Sequence, residues 1–255
     1  MNLSYRVFGE GKPLIILHGL FGSSDNWQTH AKRLSTMCKV VLVDQRNHGH
    51  APHLEEMNYD AIADDLLELA AHEGLRDIIL LGHSMGGKSA MRFAQKSGFL
   101  VDALIVADMG MKGYPRHHDL IFKGLNAVDV DNCDSRKTAE GRLSTHIQDE
   151  STMQFLMKNL YWKEPGKLAW RFNLAVLESH IDEILVALPE ERIDCETLFI
   201  VGGKSGYVLP EDHESIRERI PLVHFETIAE AGHWVHAEAP VQFLEIVESF
   251  IQQRL

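Results

Sequence analysis

Short apolar runs alternate with stretches in which apolar residues return at helical spacing, a pattern that predicts a parallel sheet covered by helices on both faces. Leu14 to Leu17, Val40 to Val43, Ile78 to Leu81, Ala103 to Ala107, Thr197 to Val201 and Val223 to Ile228 read as its strands. Between the second and third runs, Asn58 stands where it can cap a helix with the stripe Ile62, Leu66 and Leu69, and Gly74 is placed to end it. A right-handed crossover follows. A last helix opens with Pro240 in its first turn and carries Phe243, Ile246, Val247, Phe250 and Ile251 along one side.

Between about Met111 and Leu188 the alternation stops. No parallel strand is legible there; helix-like pieces run around His118 to Val128, Arg136 to Ile147 and Thr152 to Leu160, followed by a turn at Glu164-Pro165-Gly166 flanked by aromatics. An α/β core from 1–110 and 189–255 with a helical cap from 111–188 is the expected organisation. Ligands of open α/β sheets bind at the carboxyl ends of the strands, so an insertion at that edge would roof the site. Tyr161, Trp162, Trp170 and Phe172 are candidates for its apolar underside, or for packing inside the cap itself.

Composition narrows the function classes. The 255 residues, 45% of them hydrophobic, suit one large globular unit. A net charge of −12, from 25 Lys and Arg against 37 Asp and Glu, argues against a phosphate-tracking surface, so no nucleic-acid partner is expected. Cys38, Cys133 and Cys195 are odd in number and lack C-x-x-C spacing, which points away from a disulfide framework or a zinc site and towards a reducing cytoplasm. The opening Met1-Asn2-Leu3-Ser4-Tyr5-Arg6 has no basic segment leading into an apolar stretch, and no apolar run approaches the roughly 20 residues of a membrane span.

Chemistry enters at Gly82-His83-Ser84-Met85-Gly86, a G-x-S-x-G string directly after the third apolar run. A serine between glycines, where a strand gives way to a helix, sits on a turn sharp enough to lift Oγ clear of the backbone. Such a string also makes ordinary loops, so partners decide its meaning. Ala231-Gly232-His233-Trp234 lies between the last strand and the final helix, where His233 could reach Ser84 as its base; His236 is the competitor. His18-Gly19-Leu20-Phe21-Gly22 follows the first of these runs, and the Leu20 N–H could pair with that of Met85 as oxyanion donors, with Phe21 the weaker choice. Phe21, Trp162, Phe172 and Trp234 are the candidates for contact with substrate.

Taken together, these segments resemble the α/β-hydrolase superfamily, and within it small bacterial esterases and their mitochondrial abhydrolase relatives. The resemblance rests on His18-Gly19-Leu20-Phe21-Gly22-Ser23 with Asp25-Asn26-Trp27, Asp44-Gln45-Arg46-Asn47-His48-Gly49, Gly82 to Lys88, Trp170-Arg171-Phe172-Asn173, and Ala231 to Glu238. It implies an α/β-hydrolase fold with a helical cap and a cofactor-independent carboxylic ester or thioester hydrolase. In the superfamily the acid that orients the histidine usually follows the penultimate strand, but here that loop reads Val201-Gly202-Gly203-Lys204-Ser205-Gly206-Tyr207-Val208. Ala107-Asp108-Met109-Gly110 ends the strand after the elbow helix, and some superfamily members place their acid there. Asp108 is therefore the expected acid, with Asp212 as runner-up, the latter also suited to be a helix N-terminal charge.

Other groupings point less sharply to chemistry. The His48, His50, His53 and His117, His118, Asp119 clusters could suggest a metal, but no H-E-x-x-H or cysteine pair accompanies them, and no metal is expected. Arg46 suits a fixed hydrogen-bonding role in its turn, a substrate-anion contact being the minority reading. Lys88 reads as a solvated or supporting residue. The expected activity is acyl transfer to Ser84 and then to water on a small-molecule ester or thioester, without a cofactor. A perhydrolase, a carbon–carbon hydrolase, or a binding module that has kept the fold without the chemistry are the alternatives.

Overall fold

Residues 3–255 are described by a computed structural model; the expectation about the leader-free start falls partly on Met1 and Asn2, outside the described residues. Seven strands form the main sheet in the order β1-β3-β2-β4-β5-β8-β9. They span Ser4–Phe8 (β1), Pro13–Leu17 (β2), Lys39–Asp44 (β3), Ile78–His83 (β4), Val101–Ala107 (β5), Glu196–Gly202 (β8) and Val223–Ile228 (β9). All neighbours are parallel except β1, which pairs antiparallel with β3. The pattern of apolar runs missed β1, because this edge strand alternates with polar residues and leaves Val7 exposed.

Helices α1 (Gln28–Leu34), α2 (Tyr59–Glu73), α3 (Met85–Ser97), α9 (Asp212–Arg219), α10 (Val235–Glu238) and α11 (Pro240–Gln252) accompany the sheet. Strand alternation splits the interior in two. Ile15, Leu17, Val41, Val43 and Leu80 join the cluster that holds α2 and α3, while Leu14, Ile16, Val40, Leu42 and Ile79 join the one that holds α1 and α11. Asn58 caps α2 by accepting the Ala61 N–H, and Gly74 ends it in the left-handed region, as the sequence predicts.

Between β5 and β8 lie α4 (Asp119–Ala127), α5 (Arg136–Leu143), α6 (Glu150–Met157), a hairpin of β6 (Leu160–Glu164) and β7 (Lys167–Trp170), α7 (Leu174–Ser179) and α8 (Ile181–Leu185). The expected helical pieces are present, but the aromatics around Pro165 and Gly166 belong to antiparallel strands. Phe122, Leu125, Leu143 and Phe172 share the apolar cluster of α2 and α3, so the segment is packed onto the sheet's helical layer.

Candidate active site

Ser84 stands between β4 and α3 with φ 54° and ψ −122°, a strained backbone for a residue with a side chain. The flanking glycines have no room for a side chain. A Cβ on Gly82 would come within 2.1 Å of Gly86 O, and one on Gly86 within 2.4 Å of Leu17 O. Ser84 N–H donates to Ala107 O at 3.1 Å, and Gly87 N–H returns to Ser84 O at 2.8 Å, so the turn is fixed from both sides.

Past β9 the chain brings His233 over this turn. His233 Nε2 lies 2.9 Å from Ser84 Oγ, and Nδ1 lies 2.7 Å from Asp108 Oδ2. Three residues hold the loop: Glu238 accepts the N–H groups of Gly232 at 2.7 Å and Trp234 at 3.1 Å, His83 Nε2 donates to His233 O at 2.9 Å, and the Tyr207 ring stacks on the imidazole at 3.9 Å. Burial and the neighbouring His236 and His233 keep His83 well below its ordinary pKa, hence neutral. His236 does not reach Ser84; its buried ring stacks on Trp27 at 4.3 Å, and burial lowers its pKa to about 3.

Asp108 is fully buried at the carboxyl end of β5. Its Oδ1 accepts the Gly202 N–H at 3.0 Å, while Oδ2, the oxygen facing His233, also accepts the Ser205 hydroxyl. The end of β8 and the loop after it thus supply two donors to a carboxylate on the neighbouring strand. Asp212, the runner-up, is elsewhere: it accepts the Leu209 N–H at 2.8 Å and pairs with Lys112 at 2.5 Å.

On the other side of Ser84, the Phe21 N–H donates to His48 Nε2 at 3.2 Å and the Gly22 N–H to Gly19 O at 2.9 Å. Neither bond uses the Leu20 or Met85 N–H, and both residues border the same recess as Ser84. His48 Nδ1 donates to Arg46 O at 2.9 Å, so its Nε2 is an acceptor, and burial pushes its pKa down to about 3. Arg46 itself grips Asp65 with Nε and Nη2 at 2.7 and 3.0 Å, a fixed structural contact. Of the other grouped histidines, His53 faces Arg171 O and His117 faces the Tyr207 hydroxyl. Among the described residues no group of three or more His, Cys, Asp or Glu could hold a metal ion.

A cleft of about 1190 Å³ opens over Ser84, lined by Phe21, His233 and Trp234 from the core and by Ile121, Phe155 and Leu156 from the inserted segment. Two aromatics expected to line it do not. Trp162 is 46% exposed on β6, and Phe172, 2% exposed, packs between Phe21 and Trp170 with centroids 5.2 and 5.4 Å away. The hairpin turns Trp162 outward, and Phe172 supports Phe21 from behind. Phe155 takes the expected place, its ring 5.7 Å from that of Trp234. Lys88 is not solvated: it is fully buried, donates to the carbonyls of Leu185 and Val186, and is pulled down to about 7 by desolvation.

A model of the family described as "Alpha/beta hydrolase family" matches residues 14–246. The mouse protein named sn-1-specific diacylglycerol lipase ABHD11 is 38% identical, over 98% of this chain and 85% of its own length. Esterase YbfF of Escherichia coli strain K12 is 35% identical, over 94% of this chain and 92% of its own. Among solved structures, one titled "Marine microorganism esterase" superimposes with a TM-score of 0.95 at 37% identity, covering 98% of this chain and 99% of that one.

Proposed function

This chain belongs to the α/β-hydrolase family, and we propose that it is a serine hydrolase of carboxylic esters or acyl thioesters, with residues 111–188 as a cap over the site. One observation carries this reading: the unbroken chain of contacts from Ser84 Oγ through both nitrogens of His233 to the buried Asp108 carboxylate. His233 takes the proton of Ser84 as Oγ attacks the carbonyl, and the Leu20 and Met85 N–H groups receive the developing oxyanion. Asp108 fixes the imidazole tautomer and stabilises its charged form. The acyl-enzyme then loses its acyl group to water activated by the same histidine.

Two of the relatives are named for cleaving carboxylic esters, which supports the same class here. The three cysteines are all unpaired, consistent with a reducing cytoplasm, and among the described residues no helix is long and apolar enough to cross a membrane. A fluorophosphonate probe tests the reading directly. Labelling is expected at Ser84 and absent in Ser84→Ala, and a panel of p-nitrophenyl esters beside acyl-CoA thioesters separates the two substrate classes. An unlabelled, folded parent protein would leave a binding module in place of the enzyme.

A further inference from the structure

Two unequal spaces meet at Ser84. One is the cleft of about 1190 Å³, which His233 borders; the other is a recess of about 20 Å³ walled by Leu20, Tyr59, Met85, Met109, Tyr114 and Ile184, which His233 does not border. We propose that the recess receives the acyl substituent and the cleft the alcohol portion, so that the protein hydrolyses short, uncharged acyl esters of large alcohols. This rests on the serine hydrolase reading above.

The assignment follows from where protons must go. With the carbonyl oxygen on the Leu20 and Met85 N–H groups, the two remaining substituents of the reacting carbon point in different directions. When the tetrahedral intermediate collapses, the bond from carbon to the alkoxy oxygen breaks and its electron pair leaves on that oxygen. The proton that His233 took from Ser84 moves to the departing oxygen, giving the free alcohol. The alkoxy group must therefore lie within reach of His233 Nε2, which places it in the cleft. The recess, which borders Ser84 but not His233, then takes the acyl substituent.

Size and lining then set which acyl groups fit. A space of about 20 Å³ holds little more than one water-sized group, which a methyl fills. The Tyr59 hydroxyl donates to Ile184 O at 2.6 Å and the Tyr114 hydroxyl to Tyr207 O at 2.8 Å, so neither is offered to a ligand. No cation is offered for a carboxylate-bearing acyl group either. The Lys88 amine, over the Tyr114 ring at 5.0 Å, is engaged by the Leu185 and Val186 carbonyls, and burial keeps the bordering His118 neutral with a pKa lowered to about 4.

Two ester series test the proposal: p-nitrophenyl acetate, butyrate, hexanoate and octanoate, and the acetates of ethanol through decanol. Crowding of each added pair of methylenes should lower kcat/KM about tenfold per step in the first series. In the second, kcat/KM should stay within about threefold or rise. Ile184→Ala, which widens the recess from the inserted segment, should move the optimum to butyrate, and Met109→Ala provides the same test should the first variant not fold. Octanoate turned over as well as acetate by the parent, or an acyl profile unchanged in both variants, would overturn the recess while leaving the hydrolase reading intact. Fluorophosphonate labelling of Ser84 without turnover of any acetate would also overturn the recess alone; no labelling and no turnover would overturn both.

Discussion

The imidazole of His48 accepts the Phe21 N–H at 3.2 Å, so that N–H is already taken, and the oxyanion site proposed above rests on Leu20 and Met85 instead. With Phe21 held, its φ of 59° is fixed and the Leu20 N–H stays beside Ser84. His48→Ala should free the loop and lower kcat by about 10²-fold, the order found for loss of a single oxyanion donor. Steady-state kinetics should show the loss in kcat more than in KM, and His48→Gln, whose amide oxygen can accept the same N–H, should recover part of it.

Asp108→Asn should leave a folded protein whose kcat is lower by about 10⁴-fold, since the asparagine amide favours the wrong histidine tautomer. Asp212→Asn should stay within about tenfold of the parent, which is about 1.4 kcal/mol of barrier. Parallel kcat measurements at neutral pH, with circular dichroism to confirm folding, check both. A collapse in Asp212→Asn alone would move the acid to the later loop.

Acid should unfold the protein early. His48 and His236 are buried with pKa values lowered to about 3 in the fold, against an unfolded value of about 6.5. Below 6.5 the unfolded chain binds protons that the folded one refuses, so stability is full above that pH and falls as pH drops towards 3. Each group should cost on the order of 2 kcal/mol between pH 6.5 and 5. Thermal melts at pH 7, 6 and 5 should show a falling Tm, and His236→Phe, which keeps a ring against Trp27, should flatten the dependence.

The buried pair of Arg46 and Asp65 ties the β3 loop to α2. Asp65→Ala, which strands the guanidinium, should destabilise by about 3–5 kcal/mol. Urea titration measures this, and acyl preference among ester substrates should be unchanged at temperatures where the variant is folded.

Phe155 and Trp162 should behave oppositely. Phe155→Ala enlarges the cleft and should change kcat/KM across an alcohol series, whereas Trp162→Ala, on the outward face of the hairpin, should leave that profile as it is. A shift in the Trp162 variant alone would place the hairpin over the entrance.

Much of this arrangement was legible because it is local. Six strands announced themselves as apolar runs, and Ser84 and Asp108 each sat where a strand ended while His233 lay between the last strand and the final helix, positions that a single sequence reveals. What was hidden depended on contacts across the chain. Ser205 reads as a substitution for a missing acid, and only the parallel pairing of β5 with β8 shows its hydroxyl turned towards Asp108. Glu238 belonged to a recognisable string, but its hold on both sides of His233 needs the fold of the loop. Trp162 and Phe172 were misplaced for the converse reason: aromatic character says that a residue seeks burial and not against what. Lys88 shows the limit most sharply, because a lysine on a helix next to an active site is ordinarily solvated, and the carbonyls that receive it come from α8, about a hundred residues later.

Ser84 and Asp108 sit at the ends of β4 and β5, adjacent strands in register from Ile79 with Ala103 to His83 with Ala107, whereas His233 arrives on a loop beyond the half-exposed edge strand β9. Ser84 and Asp108 therefore share one cooperative unit, and His233 belongs to a segment that can open at a smaller free energy. On warming, the protein should fall silent before it melts: amide protons of β4 and β5 would remain protected while those flanking His233 exchange, and cooling would restore activity without any refolding of the central sheet.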